Sequence, residues 1–344
     1  MPRSFSSRTV APSSPRLVRA APRFLPLALA VVFLLPPDHE AEAQVFIDDG
    51  EIKRSMRASL EDLLDNAAPP SGETIRKQLR GEFPDENLDV FPTPVPEDSE
   101  PIPLAELYRR LRESTVAIGY LYRDDVSDPW EQGVAGGVIL APDGLVLTNH
   151  HVLATRNARV FGAMTFDRQF FPLRRVRRAS KQHDLALVEL DGAAGLSWSR
   201  LAPESAVGDP VYSVSHPDFH YYTFGEGRIT RFYLTADDRI PRAQVNLNFA
   251  VGSSGAGVFS PRGRLAGLIT STKSVYYRRQ PTRREARPLS GAPASGAEIR
   301  HLQMVIRSAV PLTTLREFLE VDIATGEKRI LQGRGSAGRG SAGE

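Results

Sequence analysis

Residues 136–154 read GGVILAPDGLVLTNHHVLA, with two short apolar runs, 138–140 and 145–147, on either side of the tetrapeptide APDG. Proline and glycine in a four-residue connection are typical of a tight turn between antiparallel strands. The stretch therefore predicts a β-hairpin. Two histidines, His150 and His151, follow the second strand almost immediately.

Short apolar runs continue through the middle of the chain. Residues 185–190 are apolar except for Glu189 and predict a buried strand. Strand-length runs separated by turns are typical of an all-β barrel or sandwich. The other predicted strands are residues 212–215, 244–247, 258–259 and 265–269.

One helix is predicted to close this globular region. Thr314-x-x-Glu317 has the spacing of a capping box, in which each side chain binds a backbone N–H at the start of a helix. Leu315, Phe318 and Leu319 would form the apolar side of this helix. The tail that follows, residues 323–344, repeats GRGSA and is expected to be disordered.

The first 43 residues have the pattern of an export signal. Five arginines and no acid precede residues 24–35, a 12-residue run that is apolar apart from one proline. A membrane-spanning helix needs about 20 apolar residues, so this run has the length of a signal peptide instead. The triplet Ala41-Glu42-Ala43 predicts cleavage before Gln44 and a secreted or periplasmic protein. An uncleaved N-terminal anchor is the alternative.

An acidic segment comes next. Residues 44–101 contain 14 Asp and Glu against 6 Lys and Arg. Residues 56–64 predict one amphipathic helix, and the proline-rich residues 91–103 predict an extended linker. We expect residues 44–103 to be a poorly packed pro-segment or linker.

Composition limits the chemistry of the chain. Its 344 residues include no cysteine, which excludes disulfides and thiol nucleophiles, so a nucleophile must be Ser, Thr, Lys or a carboxylate. A formal net charge of +2 gives no general indication of nucleic-acid binding. Two stretches are locally basic, residues 174–178 and 273–300. We interpret the second as a long surface loop, either simply solvated or in contact with an anionic surface.

Two further segments complete a possible catalytic site. KQHDLALVEL, residues 181–190, places Asp184 at the start of a buried strand, and VGSSGAGVF, residues 251–259, places Ser254 in a glycine-rich turn. A serine hydroxyl is a poor nucleophile at neutral pH and needs a base that an acid orients. Glycines around Ser254 leave room for backbone N–H groups to point at a substrate oxygen, as an oxyanion hole requires.

In this order the three segments resemble the trypsin-like (chymotrypsin-fold) serine peptidases, and among them the bacterial HtrA/Deg-type domain. Residues 148–152 match the T-N-x-H-V motif of that branch, residues 184–187 match D-[IL]-A-[LV], and residues 252–256 match G-[NS]-S-G-G except for Ala256. The resemblance covers about residues 104–320. It implies two packed antiparallel six-stranded β-barrels with a C-terminal helix. Because few residues follow, we expect a protease domain at 104–322 without a PDZ domain.

The resemblance also implies a role for each matched residue. His151 would act as general base and acid, Asp184 would orient its ring, and Ser254 would attack the scissile carbonyl. The N–H groups of Gly252 and Ser254 would form the oxyanion hole. The resemblance implies an exported serine endopeptidase that hydrolyses protein or peptide substrates through an acyl-enzyme and uses no metal or other cofactor.

Two positions indicate specificity and activation. Ser253 stands where many zymogen-activated members carry an Asp that captures a newly cut N-terminus, so we expect activity without such a cleavage. Asn248, six residues before Ser254, would form the floor of the specificity pocket, and its lack of charge disfavours Arg and Lys side chains. The strand 268–272, which includes Thr270, would pair with the substrate backbone.

Two other interpretations of these residues are open. A catalytically inactive binding module on the same fold would use the acidic segment and the basic loop as binding surfaces. Alternatively, a metal site would use histidines and Asp184, although no zinc-binding spacing such as H-E-x-x-H is present. The residues for that site are His150, His151, His183 and Asp184.

Overall fold

A computed structural model describes residues 45–66, 70–81, 100–125, 128–279 and 299–319. The elements below all belong to the compact unit that begins at Ile47. Its strands form two closed six-stranded antiparallel barrels. This architecture, with a helix after the last strand, confirms the predicted fold.

The first barrel is built around the hairpin predicted from residues 136–154. Val138 pairs with Leu147 across that hairpin. Gly144 lies in its turn with φ +86°, where a Cβ would come within 2.5 Å of the Ala193 side chain, so the turn requires glycine. In spatial order the barrel runs β1-β2-β3-β6-β5-β4. Its strands are β1 (Thr115–Tyr122), β2 (Glu131–Ala141), β3 (Leu145–Thr148), β4 (Val160–Met164), β5 (Phe170–Ser180) and β6 (Leu185–Leu190).

The second barrel contains the remaining predicted strands and runs β10-β11-β12-β9-β8-β7 in spatial order. One prediction extended too far, because the strand expected at residues 244–247 ends at Val245. The strands of this barrel are β7 (Pro210–Ser215), β8 (Thr223–Leu234), β9 (Pro241–Val245), β10 (Gly257–Phe259), β11 (Leu265–Arg279) and β12 (Ile299–Pro311).

The basic stretch 273–300 begins and ends as a β-ribbon. Lys273 pairs with Ile306, and the pairing of β11 with β12 continues to Arg279 and Ile299. The prediction of a loop is therefore wrong for both ends of the stretch, and residues 280–298 lie outside the described residues. Val275, Tyr276 and Tyr277 favour a strand, but the charge and proline content of the whole stretch outweighed them in the sequence interpretation.

Five helices accompany the barrels in the described part of the chain. The helix α5 begins two residues before Thr314, which is buried inside it, so the predicted capping box is wrong. Its predicted apolar side is confirmed, because Leu315, Phe318 and Leu319 are buried. The helices are α1 (Asp49–Asn66), α2 (Gly72–Leu79), α3 (Leu104–Glu113), α4 (His150–Leu153) and α5 (Leu312–Leu319).

The segment before the barrels is well packed where the structure describes it. The predicted amphipathic helix is present as the longer α1, which buries Ile52, Met56, Leu60 and Leu63. Met56 lies so close to β1 that a Cβ on Gly119 would be 2.3 Å from its sulfur. The expectation of poor packing is therefore wrong for α1. Poor packing was expected because the segment is acidic. Some of its acidic residues lie on the exposed face of α1, while the apolar residues of this helix recur every three or four positions.

The helix α2 is anchored in the same way. Ile75 is fully buried, Ser71 caps the helix by accepting a hydrogen bond from the Thr74 N–H, and the Gly72 N–H donates to the Arg159 carbonyl. Poor packing is therefore wrong for this helix as well. The predicted signal peptide, residues 91–99 of the proline-rich linker and the predicted tail lie outside the described residues. No helix in the described ranges is long and apolar enough to cross a membrane.

A buried histidine joins the two barrels. His216 follows β7 in the second barrel, and its Nε2 lies 3.2 Å from the Val116 carbonyl oxygen in β1 of the first. Its Nδ1 accepts a hydrogen bond from the Tyr222 N–H at 3.1 Å. The neutral Nε2–H tautomer satisfies both partners, whereas a second proton on Nδ1 would face another donor. Burial lowers the pKa of His216 to about 4.

This arrangement predicts that acid destabilises the protein. The pKa of His216 is about 4 when folded and about 6.5 when unfolded, so the unfolded state binds the extra proton more readily. The free energy of unfolding should fall as the pH drops through this interval, by about 3 kcal/mol at most, at about 1.4 kcal/mol per pKa unit. Denaturant unfolding between pH 7 and pH 4 measures this loss.

His216→Asn keeps an acceptor for Tyr222 but cannot titrate, so its stability should depend less on pH than that of the natural protein. His220→Asn is the matched control, because His220 is exposed. An equal pH dependence in the natural protein and in His216→Asn would contradict the assignment.

Candidate active site

The three residues predicted for catalysis lie at the ends of strands that the barrels bring together. His151 lies on α4, directly after β3, and Asp184 lies directly before β6. The strands β3 and β6 are neighbours, with Thr148 paired to Ala186, so His151 and Asp184 meet at one end of the first barrel. Ser254 belongs to the second barrel, just before β10.

His151 and Asp184 are in direct contact. The His151 Nδ1 lies 2.8 Å from Oδ2 and 3.0 Å from Oδ1 of Asp184, and the His151 backbone N–H donates to Oδ1 at 3.0 Å. The Asn149 side chain donates to the Asp184 carbonyl at 2.9 Å. These bonds hold Asp184 at φ +61°, a region that Asp tolerates better than most residues. With Nδ1 directed at the carboxylate, the His151 Nε2 is left for a substrate or a nucleophile.

Thr270 supplies a further contact to this carboxylate from the second barrel. Its hydroxyl donates to the Asp184 Oδ2 at 2.5 Å, and its side chain is buried. Thr270 was predicted to pair with substrate through its backbone, and this side-chain contact was not predicted. No local signal indicates it, because Thr270 is the first of five polar residues, 270–274, that follow the apolar run 265–269.

The pKa of the Asp184 carboxyl lies below its usual range. Burial alone would raise this pKa, but the hydrogen bonds and charge of His151 and the hydroxyl of Thr270 together outweigh burial. Asp184 is therefore ionised at neutral pH, as a group that stabilises an imidazolium must be.

The loop that carries Ser254 lies against the segment that leads to His151. The Gly255 N–H donates to the Ile269 carbonyl at 3.0 Å, next to Thr270. Gly255 has φ +83°, and a Cβ there would lie 2.3 Å from the Thr148 hydroxyl and 3.3 Å from the Asn149 nitrogen. The Ser254 hydroxyl has no hydrogen bond to the His151 ring in the described residues. Catalytic hydrogen bonds are often long in the absence of substrate.

Two backbone N–H groups of this loop are available to a ligand. The N–H groups of Ser253 and Ala256 donate to carbonyls of the same loop. Within the described ranges, no acceptor binds the N–H groups of Gly252 and Ser254, the two predicted for the oxyanion hole. Gly252 has φ +96°, which favours glycine at this position.

Ala256, the departure from the family motif, fits without strain. It is buried, and the residue opposite it is Gly136, where a Cβ would lie 2.9 Å from the Ala256 methyl group. The missing side chain at Gly136 therefore leaves space for the extra methyl group. The Gly136 N–H also donates to the Ser254 carbonyl at 2.7 Å, which fixes the loop to the first barrel.

The remaining candidate residues lie around this centre. Asn248 is exposed, and its role in specificity stays a prediction. Burial lowers the pKa of His150 and of His183. No group of three or more His, Asp or Glu side chains in the described part of the chain is placed to hold a metal ion.

The contact of Thr270 with Asp184 predicts a loss of activity in Thr270→Val. A hydrogen bond to a charged group contributes about 1.5–3 kcal/mol. Without it the pKa of Asp184 should rise, and any turnover that uses His151 as a base should fall about 10- to 100-fold at neutral pH. Steady-state kinetics on a peptide substrate measures the change. Thr230→Val is the control, because it removes the exposed hydroxyl bond to the Gln244 carbonyl and should alter turnover less than twofold; equal effects of the two variants would contradict the role of Thr270.

Comparisons with known proteins agree with this geometry. Residues 135–268, which contain His151, Asp184 and Ser254, match the family model of the trypsin-like peptidase domain. A protein of Ectopseudomonas mendocina (strain ymp), described as a probable periplasmic serine endoprotease DegP-like, is 30% identical over 141 residues. The match covers 40% of this chain and 29% of that relative, so the chain spans less than a third of the relative's length. The two barrels and the two matches support a trypsin-like peptidase domain similar to that of the HtrA/Deg type.

Proposed function

We propose that the protein is an exported serine endopeptidase that hydrolyses peptide bonds through an acyl-enzyme. The observation that carries the proposal is the pair of contacts between the Asp184 carboxylate and the His151 Nδ1. This pair lies beside a loop that presents Ser254 and two N–H groups for which the described residues offer no acceptor. A base oriented by an acid, next to a serine and an oxyanion hole, is the arrangement that acyl transfer requires.

The proposed reaction has two halves. The Ser254 Oγ attacks the scissile carbonyl carbon while the His151 Nε2 takes its proton, and Asp184 stabilises the resulting imidazolium. The N–H groups of Gly252 and Ser254 bind the oxyanion of the tetrahedral intermediate. Its collapse expels the amine, which receives the proton from His151 and leaves an acyl-enzyme. A water molecule, deprotonated by His151, then releases the acid product and restores Ser254.

The second candidate function is an inactive binding module on the same fold. Binding alone does not require a buried carboxylate with hydrogen bonds from both barrels. An ionised group in this position is costly to bury unless it is paired. The contacts of the Asp184 carboxylate with His151 and Thr270 therefore favour the enzyme. The labelling experiment below separates the two functions.

The enzyme proposal predicts covalent labelling at one serine. A fluorophosphonate probe should label the natural protein at Ser254, because such probes need an activated serine and an oxyanion hole. Mass spectrometry and in-gel fluorescence measure the labelling. Ser254→Ala should abolish it.

The matched control is Ser253→Ala at the preceding position. The hydroxyl of Ser253 is buried and has no hydrogen-bond partner in the structure. This variant should keep most of the labelling. A folded natural protein that the probe does not label would exclude the peptidase and leave the binding module.

We also propose that the protein is exported and that the basic stretch 273–300 contacts an anionic surface. The signal-like pattern of residues 1–43 supports export, and the relative of Ectopseudomonas mendocina is described as periplasmic. The charge of residues 273–300 supports contact with an anionic surface.

The export proposal predicts the N-terminus of the mature protein. When the full chain is expressed in a bacterium and recovered from the periplasm, N-terminal sequencing should begin at Gln44. Ala43→Arg should block this cleavage, since signal cleavage requires a small residue there. Recovery of the intact chain in the cytosolic fraction alone would contradict export.

A further inference from the structure

The oxyanion loop, residues 250–255, is held by a neighbouring loop, residues 216–222. The Asp218 N–H donates to the Val251 carbonyl at 2.7 Å. Gly252 lies against the same neighbour, because a Cβ there would be 2.3 Å from the His216 carbonyl oxygen and 3.2 Å from the Asp218 nitrogen. The orientation of the Gly252 N–H therefore depends on the position of the 216–222 loop.

The 216–222 loop is strained at three residues. Asp218, Phe219 and Tyr222 have φ values of +47°, +62° and +55°, in the left-handed region. Such backbone persists only when surrounding contacts impose it. One of these contacts lies inside the loop, where the Tyr222 N–H donates to the His216 Nδ1. The buried hydroxyl of Ser253 does not hold the loop in this conformation, because it has no hydrogen-bond partner in the described residues.

Helices that precede the barrels supply restraints instead. The Tyr221 N–H donates to the Asp49 Oδ1 at the start of α1 at 2.8 Å. One turn further along α1, the Lys53 ammonium lies 3.9 Å from the centroid of the Phe219 ring. The Tyr108 hydroxyl of α3 donates to the Tyr222 carbonyl at 3.2 Å.

The helix α1 is itself firmly fixed to the first barrel. Its side chains Met56 and Leu60 are fully buried, and Ile52 and Leu63 are buried on the same face. Burial of apolar side chains of this size is strongly stabilising. The helix can therefore hold a strained loop without moving.

We infer that α1 is a built-in positioning element for the oxyanion hole, with Asp49 as a positioning residue. The chain of contacts runs from Asp49 to Tyr221, through the 216–222 loop to Val251, and ends at Gly252. This inference rests on the proposed peptidase function. This role is the opposite of that of an inhibitory pro-segment, because removing α1 would lower the activity instead of raising it.

The test replaces the acceptor on α1 and leaves the proposed catalytic groups unchanged. Asp49→Ala should lower kcat about tenfold with KM nearly unchanged, which is less than the roughly 100- to 1,000-fold loss when an oxyanion donor is removed. Fluorophosphonate labelling of Ser254 should slow by a similar factor. Asp49→Asn keeps the acceptor oxygen and should restore most of the activity.

Glu51→Ala is the matched control on the same helical turn. It breaks the ion pair with Arg168 without touching the 216–222 loop and should keep the natural kcat. Should Asp49→Ala fail to fold, as judged by circular dichroism, Lys53→Met tests a second contact of α1 with the loop, the one to Phe219, and should lower kcat several-fold.

The outcomes separate the two proposals. A natural protein that hydrolyses peptides and takes up the probe, combined with natural kcat in Asp49→Ala and Lys53→Met, would overturn the role of α1 alone. A loss in Asp49→Asn as large as in Asp49→Ala, or an equal loss in Glu51→Ala, would also overturn it. No labelling of the natural protein would overturn the peptidase itself.

Discussion

The carboxylate of Asp184 is the group on which the candidate site depends, because it takes hydrogen bonds from both barrels. His151 reaches it from the first barrel through its ring and backbone, and Thr270 reaches it from the second through its hydroxyl. Removing such partners from a buried ion costs several kcal/mol. Both barrels must therefore be closed and in contact before this carboxylate can be buried in its ionised form.

The loops around the site also depend on close contacts between separate parts of the chain. Gly255 and Gly136 allow backbone segments of the two barrels to approach more closely than any side chain would permit. The 216–222 loop has several residues at positive φ and is held by His216, by Tyr108 and by Asp49 at the start of α1. Strain at the candidate site is thus balanced by packing elsewhere, including packing of a segment that precedes both barrels.

Local sequence patterns predicted much of the fold. The hairpin at 136–154, the strand at 185–190 and the apolar side of α5 required only turn residues and hydrophobic periodicity. Two of the failures have a common cause, which is averaging of composition over long windows. Acidic residues hid the packing of α1 and its extension beyond the predicted helix at 56–64, and basic and proline residues hid the strand that continues to Arg279.

By itself, the sequence determined the identity and order of the candidate catalytic residues, because His151, Asp184 and Ser254 lie in short motifs whose chemistry depends on residue type and local spacing. Tertiary structure determined the contact of Asp184 with His151 at one end of the first barrel and the contact of Thr270, from the second barrel, with the Asp184 carboxylate. It also determined the contact of Asp49 with Tyr221, which joins residues 172 positions apart. Contacts at such separations leave no local pattern in a chain, since they form only when packing brings the elements together.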